Sequence, residues 1–335
     1  VRLFLAACYT SNFGKVGTIY SKLTDGEKYH RDIYKNILES YHYIHKESYV
    51  EKIKTDKQTV FLDSGAFSAF TKGVEIDIPE YCDYVKRNKD IIEEVPVDFH
   101  GWKGNVQLFS VLDCIGDKEK GAGTLRNQQK MEKLGVFPLP CFHYGEDEKY
   151  LEHYIRNYPY ITLGGMVPIT TKQLYHWLDR MWDKYLTDEN GVPKVKVHGF
   201  GLTTLELMTR YPWYSVDSSS WVQIAVHGNI LIPDGHLDGV QINPNEIHTP
   251  GDKILAISSD SPRTKEQWAH YDTLPEQMQQ AVLKCINKTG FEVNRLRTSA
   301  YSRWAWNFFA FREIEKRVNA HDTIHFKPEQ RLLFG

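Results

Sequence analysis

The sequence predicts an α/β protein: a (β/α)8 TIM-like barrel with a β-hairpin insertion and a C-terminal helical extension. Three observations lead there. Seven short apolar strand patterns alternate with helical ones, without a run of consecutive hairpins. Polar or glycine residues close nearly every strand pattern. The 335 residues exceed the roughly 250 of such a barrel by enough for an appendage. A doubly wound sheet would satisfy the alternation as well; the register of polar strand ends favours the barrel.

In order, RLFLAACY (2–9) reads as the first strand and residues 26–47 as a helix rich in Tyr and His. TVFLDSG (59–65) is the second strand, followed by a helix from about Pro79, a residue favoured in a first turn. VQLFSVLD (106–113) is the third, and TLRNQQKMEKLG (124–135) a helix closed by Gly135. FPLPCFHYG (137–145) leads into EDEKYLEHYIRNY, whose acids suit the positive end of a helix. YITLGGM (160–166), KVKVHGFGL (194–202) and WYSVDSSSW (213–221) complete the seven, the first two each followed by a helix. The eighth strand is not evident, because residues 222–258 resemble hairpin material. Past Pro262 the chain reads as helical, so two regions are expected: a barrel over 1–258, and 259–335 completing it and offering a surface to nucleic acid.

Composition narrows the function classes. With 41% hydrophobic and 25% charged residues, the chain can bury a core, which excludes disorder as its main state. No apolar run approaches the roughly 20 residues of a membrane helix, and no secretory signal pattern opens the sequence as given. A net charge of −2 excludes a generally cationic coat but not a local basic face. The five cysteines are dispersed, which suits a reducing cytoplasm. C-x-x-C, H-x-H and H-E-x-x-H are all absent, so no metal and no other cofactor is expected. Aromatic residues are abundant at 13%, from packing or from surfaces that hold flat rings.

The strand ends carry Asp63-Ser64-Gly65, Asp113, His143-Tyr144-Gly145, Gly164-Gly165, His198-Gly199-Phe200-Gly201 and Asp217-Ser218-Ser219-Ser220. In a barrel these ends share the face that holds active sites. Taken singly, each Asp suits a helix N-cap, the glycine pair a tight turn, and each His a packed structural role. Taken together, two carboxylates near a sugar carbon can perform glycosyl transfer. A third can accept hydrogen bonds from the amino edge of a base. Phe67, Phe142, Tyr144 and Phe200 lie beside the acids, where a ring could stack.

This ordered series resembles the tRNA-guanine transglycosylase superfamily, including its phage and bacterial DNA-modifying branch. The family's DSGGF strand end is matched by DSGAF (63–67), its later acid by SVLDC (110–114) and its glycine pair by LGGMVP (163–168). HGFGL (198–202) matches the glycine-containing sixth strand and VDSSS (216–220) the nucleophile strand. RLRTSAYSRWAWNFF matches the closing helix. The resemblance spans roughly residues 59–221 and implies exchange of guanine for a 7-deazaguanine base such as preQ0. It makes Asp217 the nucleophile at C1′ and Asp63 the acid/base group. Asp113 would bind the base edge and Gly164-Gly165 its carbonyl, with Ser64, Phe67, His143, Phe200 and Gly201 lining the base site.

The family's C-x-C-x-x-C…H zinc module has no counterpart: the corresponding SSDSPRTKEQWAHY holds no cysteine. Ala66 replaces the second glycine of DSGGF. The missing module favours DNA over tRNA as the polymer. Residues 291–335 hold eight Lys/Arg and five Asp/Glu, and Arg295, Arg297 and Arg303 are the expected phosphate contacts. The nearby Trp304, Phe308 and Phe311 are expected to pack on the barrel. A base exchanged at C1′ must leave its stack. A zinc-free tRNA enzyme, a barrel glycoside hydrolase using Asp63 and Asp217, and a non-catalytic nucleic-acid-binding member of the family are the alternatives.

Overall fold

The computed structural model describes residues 1–335 except 117–119, 168, 203, 241–251, 322–324 and 327–335. Among the described residues, eleven strands are defined: β1 (Arg2–Ala6), β2 (Ile37–Ser40), β3 (Phe61–Asp63), β4 (Glu94–Phe99), β5 (Trp102–Gln107), β6 (Cys141–His143), β7 (Tyr160–Gly164), β8 (Lys196–Gly199), β9 (Ser215–Ser218), β10 (Asn229–Ile232) and β11 (Lys253–Ala256). By contact the chain forms two units, one of residues 1–14, 36–218 and 318–335, the other of 15–35 and 219–317.

The first unit is α/β. Seven parallel strands curl into a half-barrel sheet in the order β3-β2-β1-β9-β8-β7-β6. Leu3, Phe4 and Leu5 of β1 are all buried, the near-continuous apolar pattern of a parallel strand covered on both faces. Phe4, Leu38, Phe61, Val95, Leu108, Leu139 and Tyr160 form one core cluster. Beyond the edges of the sheet, Leu62 N–H donates to Leu108 O at 2.9 Å and Ser110 N–H to Leu62 O at 3.0 Å. Val111 N–H donates to Leu139 O at 3.0 Å and Leu139 N–H to Phe109 O at 2.8 Å, so residues 108–111 lie between β3 and the approach to β6. Because the strands are parallel, Ser40, Asp63, His143, Gly164, Gly199 and Ser218 all end on one edge.

Two sequence expectations need correction. Residues 26–47 are not one helix: helix Asp25–Ile33 stops at Tyr34, and β2 follows before the helices Tyr41–Ile44 and Glu47–Thr55. The polar letters of ILES hid this strand, yet Glu39 within it is fully buried and accepts Tyr9 N–H at 2.5 Å. The 106–113 strand is also shorter than expected. Residues 102–107 instead turn back as β5, antiparallel to β4, around His100 and Gly101, both at positive φ. The hairpin expected within 222–258 is present: residues 229–232 and 253–256 pair antiparallel outside the parallel sheet; the part of this stretch at 241–251 lies outside the described residues. Helix starts follow ordinary capping: Asp77 accepts Glu80 N–H beside Pro79, and Thr170 and Gln173 form a capping box.

The second unit holds β10 and β11 together with helices Glu276–Lys288, Val293–Thr298 and most of Ala300–Asn319. The aromatic run of the last helix, expected to pack on the barrel, is core of this unit instead, with Trp306 and Phe308 fully buried and Phe308 meeting Trp221 edge-on at 4.8 Å. Asn307 joins two main-chain segments, accepting Leu231 N–H at 3.1 Å and donating to Trp221 O at 2.8 Å. Asn307→Ala leaves both groups unpaired and should cost roughly 2–4 kcal/mol in chemical denaturation. Among the described residues, no helix is long and apolar enough to cross a membrane.

Candidate active site

The strand-end edge brings two of the sequence-predicted acids, Asp63 and Asp113, into one hydrogen-bonded chain. β3 ends at Asp63, and Gly65 then takes a left-handed turn (φ 81°) into the helix Ala66–Thr71. A Cβ at Gly65 would stand 2.3 Å from Ser40 Oγ and 2.5 Å from His42 Cβ, so only glycine fits. The turn aims Gly65 N–H at Asp63 Oδ2 (3.0 Å), while Ser110 Oγ donates to Asp63 Oδ1 (3.2 Å) and accepts Ser64 N–H (2.8 Å). Ser64 Oγ donates to Asp113 Oδ1 at 3.4 Å, and His143 Nε2 lies 2.7 Å from Asp113 Oδ2. On its other side, His143 Nδ1 meets Glu146 Oε1 at 2.9 Å, and its main-chain N–H donates to Glu146 Oε2 at 3.1 Å.

Asp217 is set separately. Gly201 N–H donates to its Oδ1 at 2.8 Å, and His198 Nε2 stands 3.3 Å from the same oxygen. His198 Nδ1 contacts Ser215 Oγ at 2.6 Å, and Ser215 Oγ contacts Tyr160 OH at 2.5 Å, a polar relay inside the core. Tyr160, His198 and Ser215 are all buried.

The acids are electrostatically coupled. Burial first, and then the nearby Asp113 and Asp217, push the Asp63 carboxyl up from 3.8 to about 7, against the opposing pull of its Gly65 and Ser110 bonds. Burial alone would depress His143, but the Cys141 sulfur, Asp113 and Glu146 outweigh it and raise it far above an ordinary histidine. Burial lowers His198, which Asp217 only partly offsets. The site therefore holds one carboxyl pushed up to about 7 and a second, Asp217, fixed by a main-chain N–H.

The other predicted residues are distributed unevenly. Gly164 is buried at the end of β7, and a Cβ there would press on Cys141 Sγ at 3.0 Å and His143 Cδ2 at 3.1 Å. Gly165 is exposed at φ 69°. Phe67 is 65% exposed, the only ring of the predicted four that stands open. Phe142 instead faces the core and stacks on Trp177 at 6.1 Å, and Tyr144 also leans on Trp177. Phe200 is half-buried against His198 and Phe61. Gly201, besides serving Asp217, borders a cavity of about 220 Å³ lined by Met166, Val167, Leu202 and Leu207.

The arginines lie in the second unit. Arg303 is buried and donates to Ala225 O (3.1 Å) and Leu296 O (2.8 Å), which makes it part of that unit's packing. Arg295 grips Glu27 with two 2.8 Å bonds, and Arg297 pairs with Asp272 at 2.7 Å; each keeps about 30% side-chain exposure.

Sequence reasoning missed Ser110, Glu146, Cys141 and the role of His198 toward Asp217. Glu146 looked like a helix first-turn acid; the N-cap is in fact Asp147. Asp113, Cys141 and His143 also place one donor atom each within 4.8 Å of one another, a set able to hold a metal ion.

The class these features define is an α/β protein with a coupled acid cluster at the ends of its parallel strands. No protein-family model matches the chain, and no curated protein matches it either.

Proposed function

We propose that the protein is a transglycosylase that exchanges guanine in DNA for a 7-deazaguanine base such as preQ0. Asp63, Asp113 and Asp217 on the strand-end edge, with the Asp63 carboxyl pushed up to about 7 by burial and then by the other two, support this reading above all else. Asp217 attacks C1′ and forms a covalent glycosyl ester as the C1′–N bond to guanine breaks. Asp63 gives its proton to the departing guanine and then takes one from the incoming base, which displaces Asp217 from C1′. A group with a pKa near the working pH suits both directions of transfer. Asp113 accepts hydrogen bonds from the amino edge of the base. Gly165 presents main chain to its carbonyl, and the open face of Phe67 stacks on the flipped nucleotide.

The fold belonging to this reading is a closed (β/α)8 barrel, with residues 108–111 as the eighth stave. Arg295 and Arg297, which keep part of their surface, are the residues proposed to meet phosphate.

Incubating the purified protein with labelled 7-cyano-7-deazaguanine and either DNA or tRNA tests the proposal. Label should enter DNA and not tRNA. Labelling of neither polymer would overturn it, and turnover of simple glycosides without any base would replace it with glycoside hydrolysis.

A further inference from the structure

We propose that Asp113, Cys141 and His143 form a binding site for a divalent cation of the zinc class. Cys141 and His143 occupy alternate positions on β6, so both side chains leave the same face of the strand. Asp113 arrives from the neighbouring segment, which pairs with Leu139 just before β6. Cys141 Sγ lies 3.5 Å from His143 Nε2, and Asp113 Oδ2 lies 2.7 Å from that same nitrogen. Donors on a tetrahedral ion with bonds of about 2.0–2.3 Å stand roughly 3.3–3.6 Å apart. The sulfur and the ring nitrogen already have that separation. The partly exposed Asp113 carboxyl needs to draw back by only about half an ångström on the same geometry.

Two further features fit an ion. Glu146 Oε1 accepts from His143 Nδ1, which fixes the ring and leaves Nε2 for a metal, the carboxylate–histidine arrangement common around zinc. Gly164 supplies room, because any Cβ there would crowd both Cys141 Sγ and His143 Cδ2. The mixed sulfur, nitrogen and oxygen set selects zinc, cobalt or copper over magnesium or calcium. The spacing motifs of metal sites missed it because Asp113 is distant in sequence and joins only through the sheet.

The site shares Asp113 with the proposed base pocket: Oδ2 of that carboxyl faces His143, while Oδ1 is left toward Ser64 and the base. The test reads binding rather than activity, so failure of the site and failure of the base-exchange reading are distinguishable. Titrating the metal-free full chain with Co(II) should give one equivalent of a tetrahedral cobalt–thiolate spectrum, bleached by Zn(II). Cys141→Ser should lose the near-ultraviolet thiolate band, and Cys114→Ser should keep it. Glu146→Gln should keep the band and weaken binding about 10–100-fold. X-ray absorption of the zinc-loaded wild type should show one sulfur among nitrogen and oxygen donors. That measurement reads the same donor set if Cys141→Ser does not fold. No thiolate band at millimolar cobalt, a band unchanged in folded Cys141→Ser, or a zinc shell without sulfur each overturns the proposal.

Discussion

Asp217→Asn is expected to lower incorporation of the labelled base by about 10⁴-fold or more, the scale of losing a nucleophile. The covalent protein–DNA adduct of the wild type should disappear from denaturing gels with it. The fold should survive, because the variant's amide oxygen can still accept Gly201 N–H, the 2.8 Å bond that seats this side chain. Activity loss with an unchanged denaturation midpoint therefore reads chemistry rather than unfolding. Wild-type labelling by the variant would remove Asp217 from the mechanism.

Asp63→Asn should do the opposite to stability. A carboxyl raised from 3.8 to about 7 in the folded state holds its proton more tightly there than in the unfolded chain. Its contribution is fully present below pH 3.8 and is lost as pH rises through about 7, so wild-type stability falls across that window. The asparagine variant lacks this loss. Its advantage should be near zero in acid and reach up to roughly 4 kcal/mol above neutrality, while base exchange collapses. Urea denaturation of both proteins across that pH range checks the sign. A wild type that grows more stable, relative to the variant, from pH 4 to 7 would contradict the coupling of Asp63 to its two neighbouring acids.

The acids were legible because a parallel strand has an apolar interior, and a carboxylate at its mouth breaks the pattern. Asp63, Asp113 and Asp217 announced themselves in this way. β2 did not, since ILES carries a glutamate whose partners, Tyr9 and Thr10, come from the loop after β1. Local pattern cannot reveal a buried charge satisfied by distant main chain. The expected helix over 26–47 failed for that reason, and with it the count of strands. Arg303 failed similarly: arginine beside aromatics suits phosphate, but here two carbonyls take the guanidinium. Phe142 was placed by its neighbours in sequence, whereas alternation along β6 sends it away from His143 and Cys141.

The two units are interlaced along the chain, since the second collects residues 15–35 from between β1 and β2. No single cut separates them. A fragment ending at Ser218 would keep helix Asp25–Ile33 but lose Arg295, leaving Glu27, fully buried in the intact chain, without the guanidinium that neutralises it. It would also expose His30, which packs on Phe291 and bonds to Thr289 O at 2.8 Å. Dissection of this protein therefore calls for grafting out the 15–35 excursion, or for supplying both halves in one cell, rather than for truncation.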